Sequence, residues 1–198
     1  MAKGKETKRR IVQEAAAIFN QHGYEGGSMS ALMEATGLEK GGIYRHFSSK
    51  EELAAQAFDY AWDAAVETRM RDLDLIPNSV DRLKAFITNF AERRSPIPGG
   101  CPLLNTAIEA DDGNPVLRER ARKALTGWRN RLVTIIQEGL AKREMKSSVD
   151  AKKLANLIIS SLEGALMISR LEKSSKALAD VGSHLKAYLD AEVRTHKS

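Results

Sequence analysis

Lys40, Tyr44, Arg45, His46 and Lys50 crowd one short stretch of the chain, offering two ammonium groups, a guanidinium, an imidazole and a phenol. Groups of this kind donate hydrogen bonds and positive charge to phosphate oxygens, and the guanidinium also reads base edges. Gly41 and Gly42 lie among them, so backbone can approach a polyanion closely there. Glu39 stands at the front of the group and either caps the helix that follows or accepts from a cytosine amino group. The chemistry is recognition rather than turnover.

The flanking residues predict the elements that would hold these groups. Ser28 suits the N-cap of a short helix in which Met29, Leu32 and Met33 share a face, and Thr36-Gly37-Leu38 supplies a glycine-containing turn. A second short helix then spans about 39–47, with Ile43 and Phe47 four apart and inward. Ser28 and Ser30 join the outward polar set. In Ser49-Lys50-Glu51-Glu52 the serine is expected to accept from the Glu52 amide while the glutamate reaches back, opening a longer helix on whose N-terminal anion site Lys50 sits. Two short helices and a tight turn make a helix-turn-helix. The competing reading makes Tyr44, His46 and Phe47 ordinary packing residues of a three-helix domain; for Ile43 and Phe47 we adopt packing, and for Tyr44, His46 and Lys50 phosphate contact.

The segment 8–53, with Gly37, Tyr44, Phe47, Lys50 and Leu53 in register, resembles the DNA-binding domain of the Tet repressor (TetR) family of bacterial one-component transcriptional regulators. The resemblance implies that the helix at 39–47 enters the major groove. Lys40, Gly41, Gly42, Tyr44 and Arg45 then become groove and phosphate contacts, and His46 and Lys50 match the family's phosphate clamps. Three positions depart from the family pattern: Gly42 stands where Thr or Ser is usual, Glu39 where Ser is commonest, and Ala31 where an acid is usual.

Composition agrees with a polyanionic partner. The chain has 198 residues, 42% of them hydrophobic, and a formal net charge of +5. Residues 1–50 hold eight basic residues against five acidic ones, so most of the excess lies at the proposed DNA-binding end. The basic start, Met1 to Arg10, either reaches phosphates or a minor groove or is a solvated tail. No signal-type apolar run follows it and no window reaches the length of uncharged apolar residues that a membrane span needs, so the expected location is the cytoplasm, with no membrane partner. One cysteine excludes an intrachain disulfide. His22, His46, His184 and His196 have no metal spacing, and phosphate-loop, dinucleotide and nucleophile-elbow motifs are missing, so neither enzyme chemistry nor a cofactor is expected.

Periodicity predicts an all-α protein: a three-helix DNA-binding domain over 1–48 and a helical ligand-binding and dimerisation domain over 49–198. Expected helices run from about Lys5 to His22, Lys50 to Leu73, Ser79 to Arg93, Pro102 to Glu109, Pro115 to Lys142, Asp150 to Leu171 and Ser174 to Val193. Inward aromatics and one acid on an apolar stripe, Phe58, Trp62, Phe86, Phe90, Trp128 and Glu163, together with Leu104, Met167 and Cys101, are the expected lining of a small-molecule effector site. Glu163 would pair with a cationic effector or with a second subunit. Leu154, Ile158, Leu162, Val181, Leu185 and Tyr188 on the last two helices are the expected homodimer contacts, since a two-fold DNA site implies a dimer.

The reading that follows from the resemblance is a homodimeric repressor of a pseudo-palindromic operator on double-stranded DNA, released when an effector displaces the end of the fourth helix. Two alternatives stay open. In one, Cys101, between Gly100 and Pro102 at a helix start with Arg93 and Arg94 nearby in sequence, is a reactive thiol sensing oxidants or electrophiles; a small buried residue is the plainer reading. In the other, the chain is a helical adaptor for a protein partner.

Overall fold

Capping side chains set several of the helix starts. In the computed structural model, which describes residues 2–93 and 95–195, the helices are α1 (Ala2–Gly26), α2 (Met29–Thr36), α3 (Lys40–Tyr44), α4 (Lys50–Met70), α5 (Ser79–Glu92), α6 (Pro102–Ala110), α7 (Pro115–Ala141), α8 (Ala151–Leu171) and α9 (Lys176–Tyr188). The Asn78 side chain accepts from the amides of Val80 and Asp81, Asn114 from Leu117, and Asp150 from Lys152 and Lys153. Each bond satisfies first-turn amides that have no partner within the helix. Pro115 follows Asn114 at a position where its missing N–H costs nothing. The all-α expectation holds, since strand pairing among the described residues is limited to one isolated bridge between Met145 and Arg194.

Several ends differ from expectation for identifiable reasons. α1 begins at Ala2, so the basic start is helical rather than a tail. Its regular path stops at Gly23, as expected, where φ is 76°. α3 is shorter than the 39–47 reading because its last turn tightens: the His46 amide donates to the Ile43 carbonyl at 2.9 Å, a three-residue step. α4 ends at Met70, and Asp72 turns the chain with a φ of 63°. α9 ends at Tyr188 and widens into a π turn over Leu189–Val193, where Arg194 is held by ion pairs to Asp190 and Asp81. Leu125 of α7 is exposed although Ala121 and Trp128 on either side of it are buried.

Packing divides the chain into two units, each contributed by two segments. The first comprises residues 1–65 and 95–125. Its core gathers Ile11 and Ala15 of α1, Leu32 of α2, Ile43 of α3, Leu53, Ala57 and Ala61 of α4, and Ile97 from the loop before α6. That loop is fastened to α1 by side-chain amides: Asn20 donates to the Pro98 carbonyl at 2.7 Å, and Asn105 donates to the Gly99 carbonyl at 2.9 Å. Gly99 fits because its φ is 109° and a Cβ would come within 2.3 Å of the Asn20 carbonyl oxygen.

The second unit comprises residues 66–94 and 126–198. Leu83, Phe86 and Ile87 of α5, Trp128, Leu132 and Ile136 of α7, Ile158 and Leu162 of α8 and Leu178 and Leu185 of α9 are buried in it. Gly182 of α9 faces α5, where a Cβ would make ordinary contact with Ile87 and Ala91. By length and a mean hydropathy of 1.3, α8 could cross a membrane, a property the sequence reading missed by asking for an uncharged run. Within that helix Lys152, Lys153, Glu163 and Arg170 carry charge, and Glu163 is buried among protein groups.

Candidate nucleic-acid interface

Ile43 and Phe47 anchor the α3 region, with exposures of 0% and 2%. Burying both fixes the rotation of this short helix and turns Lys40, Gly41, Tyr44 and Arg45 to solvent. Gly37 closes α2 in the left-handed region with φ 63°, the geometry a helix-turn-helix corner needs. Ser28 accepts the Ala31 amide at 3.1 Å and bonds the Ser30 hydroxyl at 2.8 Å, and both serines are exposed. The expected cap is therefore present, and Ser30 stands beside it.

The outer surface carries donors and one acid. Lys40 Nζ lies 6.0 Å from the Tyr44 ring centroid, and Tyr44 is 38% exposed. A Cβ on Gly41 would meet nothing within 4 Å, and one on Gly42 would make only ordinary contact with Leu38. The backbone does not require glycine at either position, and both leave the outer surface here without side-chain bulk. Glu39 occupies the N-cap position, but its side chain makes no capping bond. The capping role expected of it is not made, and its carboxylate faces solvent.

The start of α4 follows the capping-box expectation with one shift. Ser49 Oγ accepts the Glu52 amide at 3.0 Å, and the Glu52 carboxylate reaches back to Ser48, accepting both its amide and its hydroxyl at 2.7 Å, rather than to Ser49. The Ser48 hydroxyl bond and then its amide bond hold the Glu52 carboxyl below the ordinary range. His46 is half-buried beside Phe47, with ring centroids 6.5 Å apart. Lys50 is more firmly held than expected: its Nζ donates to the Tyr24 carbonyl at 2.6 Å and lies 4.5 Å from the Tyr24 ring centroid. An ammonium has three protons, and this bond uses one of them.

Comparison with known proteins agrees with this geometry. Residues 11–57 match the model of bacterial regulatory proteins of the tetR family, and residues 79–185, more than half of the chain, match that of the tetracyclin repressor-like C-terminal domain. The chain belongs to the TetR family. It is 48% identical to a TetR transcriptional regulator from Chloroflexus aurantiacus over 99% of this chain and all of that one, with a TM-score of 0.94. A TetR-family regulator from Cytophaga hutchinsonii is 34% identical, covers 100% of this chain and 99% of its own, and has a TM-score of 0.92. Among curated relatives, the transcriptional repressor DhaR of Mycobacterium sp. strain GP1 is 23% identical over 86% of each chain.

In the second unit of this TetR-family regulator the expected effector residues divide. Phe90 and Trp128 stack with centroids 6.0 Å apart and planes 7° apart, and Phe86 tilts against Trp128 at 6.0 Å. Arg69, which the sequence reading did not single out, lays its guanidinium 4.3 Å from the Phe90 centroid and 5.0 Å from that of Trp128. Its Nη1 is 3.7 Å from Glu163 Oε1, so Glu163 has a cation partner within its own chain and unit. Glu163, expected to pair with a cationic effector or with a second subunit, thus already has a cationic group beside it in its own unit. The signal was legible in hindsight, because Arg69 continues the inward stripe of Trp62 and Ala65. Met167, by contrast, is 46% exposed.

The remaining effector candidates belong to the first unit. Phe58 borders a small cavity of about 20 Å³ together with Phe19, Asn20 and Glu109; Trp62 is buried and Leu104 half-buried. Cys101 occupies the N-cap position of α6 and is 1% exposed, which places it among the space-filling cysteines rather than accessible thiols. Arg94 and His196 lie outside the described residues. A groove of about 960 Å³ in the second unit, between Ala91 of α5, Lys173 of the α8–α9 turn and Gly182 of α9, contains none of the residues expected to line an effector site.

The expected dimer contacts are corrected in part. Leu154, Ile158, Leu162 and Leu185 are buried in the chain's own core and have no surface to offer a second subunit. Tyr188 is exposed and Val181 half-buried. The exposed apolar residues of α8 are Leu157, Met167, Ile168 and Leu171.

Proposed function

We propose that this TetR-family regulator is a cytoplasmic, homodimeric repressor that reads a pseudo-palindromic operator with α3 and leaves it when a small effector binds. Residues 1–48 serve as the reading head and 49–198 carry effector binding and dimerisation. The observation that carries the reading is the anchored α3: Ile43 and Phe47 buried beneath, with Lys40, Tyr44 and Arg45 turned outward beside two glycines that the backbone itself does not require. Arg45 supplies base-edge contacts, Lys40, Tyr44 and His46 contact phosphates, Ser28 and Ser30 donate from the start of α2, and Lys50 clamps a phosphate with its remaining protons. Glu39, unbonded to the cap, is positioned to accept from a cytosine amino group.

A dimer places two such heads on one face of the duplex about one helical turn apart. On α8, Leu157, Gly164, Met167 and Leu171 follow helical spacing along one face, and a Cβ on Gly164 would meet nothing within 4 Å. On α9, Val181, His184 and Tyr188 do the same. These two faces are the dimer surface, and pairing them builds a four-helix bundle. The effector enters the aromatic cluster of Phe86, Phe90 and Trp128, where Arg69 and Glu163 supply the polar selectivity.

Selecting bound duplexes from a random DNA pool tests the reading. Enrichment of an inverted repeat with half-sites about one turn apart is expected. Recovery of unenriched sequence, or protein that elutes without DNA at low salt, overturns it in favour of a protein-binding adaptor.

A further inference from the structure

Glu109, in the last turn of α6, directs its carboxylate at the break in α1. Oε2 accepts the Tyr24 amide at 2.8 Å and Oε1 accepts the Glu25 amide at 3.0 Å. These are the first amides after Gly23, so the carboxylate caps the turn that the Gly27 amide closes onto the Gly23 carbonyl at 3.0 Å. The close approach also needs glycine, because a Cβ on Gly23 would lie 2.7 Å from Glu109 Oε1.

The amide plane joining Tyr24 to Glu25 is held from both ends. Its N–H donates to the Glu109 carboxylate, and its carbonyl accepts from Lys50 Nζ at 2.6 Å. An anion on the N–H side raises the negative charge on the carbonyl oxygen, so each bond strengthens the other. We infer that Glu109 is a positioning residue for DNA binding: through one peptide plane it fixes the Lys50 ammonium at the place from which it meets a phosphate. The inference rests on the proposed phosphate contact of Lys50. It also makes that contact depend on where α6 stands, since the bonds at 2.8 and 3.0 Å do not survive a displacement of α6 by an ångström or two.

The test measures the affinity of the full-length protein for its selected operator duplex as a function of salt, for wild type, Lys50→Ala, Glu109→Gln and the double variant. Lys50→Ala is expected to lower the salt slope by about one. Glu109→Gln is expected to weaken the wild type about tenfold but the Lys50→Ala protein less than about twofold, because the two groups act as one unit. Glu109→Asp, which keeps the charge and shortens the reach, should fall between wild type and Glu109→Gln. In the free protein, hydrogen exchange at the Tyr24 and Glu25 amides should quicken in Glu109→Gln while helix content is unchanged. Losses that multiply independently, or exchange that does not change, overturn the inference while leaving the role of Lys50 intact. An unchanged salt slope in Lys50→Ala removes the phosphate reading and the inference with it.

Discussion

Arg69 Nη1 stands 3.7 Å from Glu163 Oε1, with the guanidinium against the faces of Phe90 and Trp128. The two side chains are 9% and 11% exposed, so neither charge is compensated by bulk water. The pair joins the last turn of α4 to the middle of α8 inside an aromatic cluster, and the planar, weakly hydrated guanidinium suits a site that a lysine ammonium would not.

Breaking this pair from one side should be costly. Glu163→Ala is expected to lower unfolding stability by about 3 kcal/mol, because it leaves a buried guanidinium without its carboxylate. Replacing both residues by Met and Leu should recover most of the loss. Urea denaturation of the three proteins checks this, and a Glu163→Ala protein as stable as wild type would show that the pair is not formed in solution.

The Glu52 carboxyl lies below its ordinary value of 4.5 because the Ser48 hydroxyl and amide favour its charged form. A depressed carboxyl contributes stability above the ordinary value and loses it as the pH falls through the lower folded value. The stability difference between wild type and Glu52→Gln should therefore be constant from neutral pH to about 5.5 and shrink below 4.5. A difference that grows on acidification would contradict the bond to Ser48.

The two sets of apolar residues on α8 should behave oppositely when charged. Met167→Asp, on the outward face, is expected to give a folded monomer in sedimentation velocity. Leu162→Asp should give unfolded or insoluble chain, since Leu162 is fully buried. A monomeric wild type at micromolar concentration, or a dimeric Met167→Asp protein, would remove the proposed dimer surface.

What the sequence disclosed was mainly local. Ser28 and Ser49 cap through bonds that span three residues, and the burial of Ile43 and Phe47 follows from four-residue spacing; such signals are complete within about one helical turn. Glu39 left two readings open because a residue at a cap position need not bend its side chain back onto the amides, and here it does not. The apolar stripe of α8 showed a buried face without showing what covers it, and its centre, Ile158 and Leu162, is covered by the chain itself. Glu109 and Tyr24 are 85 positions apart, and nothing in either one's neighbours announces the contact.

The central claim is that the outward face of α3, anchored by Ile43 and Phe47, reads DNA. Its most direct test is operator affinity measured by fluorescence anisotropy across a salt series for wild type and for Lys40→Ala, Tyr44→Ala and Arg45→Ala. Arg45→Ala should cost about 1–3 kcal/mol and relax specificity at one position of each half-site, whereas Lys40→Ala should weaken all sequences alike and lower the salt slope by about one. All three variants should keep the wild-type melting temperature, because the side chains removed face solvent. Wild-type affinity and salt slope in the Lys40→Ala/Tyr44→Ala/Arg45→Ala triple variant would contradict the account.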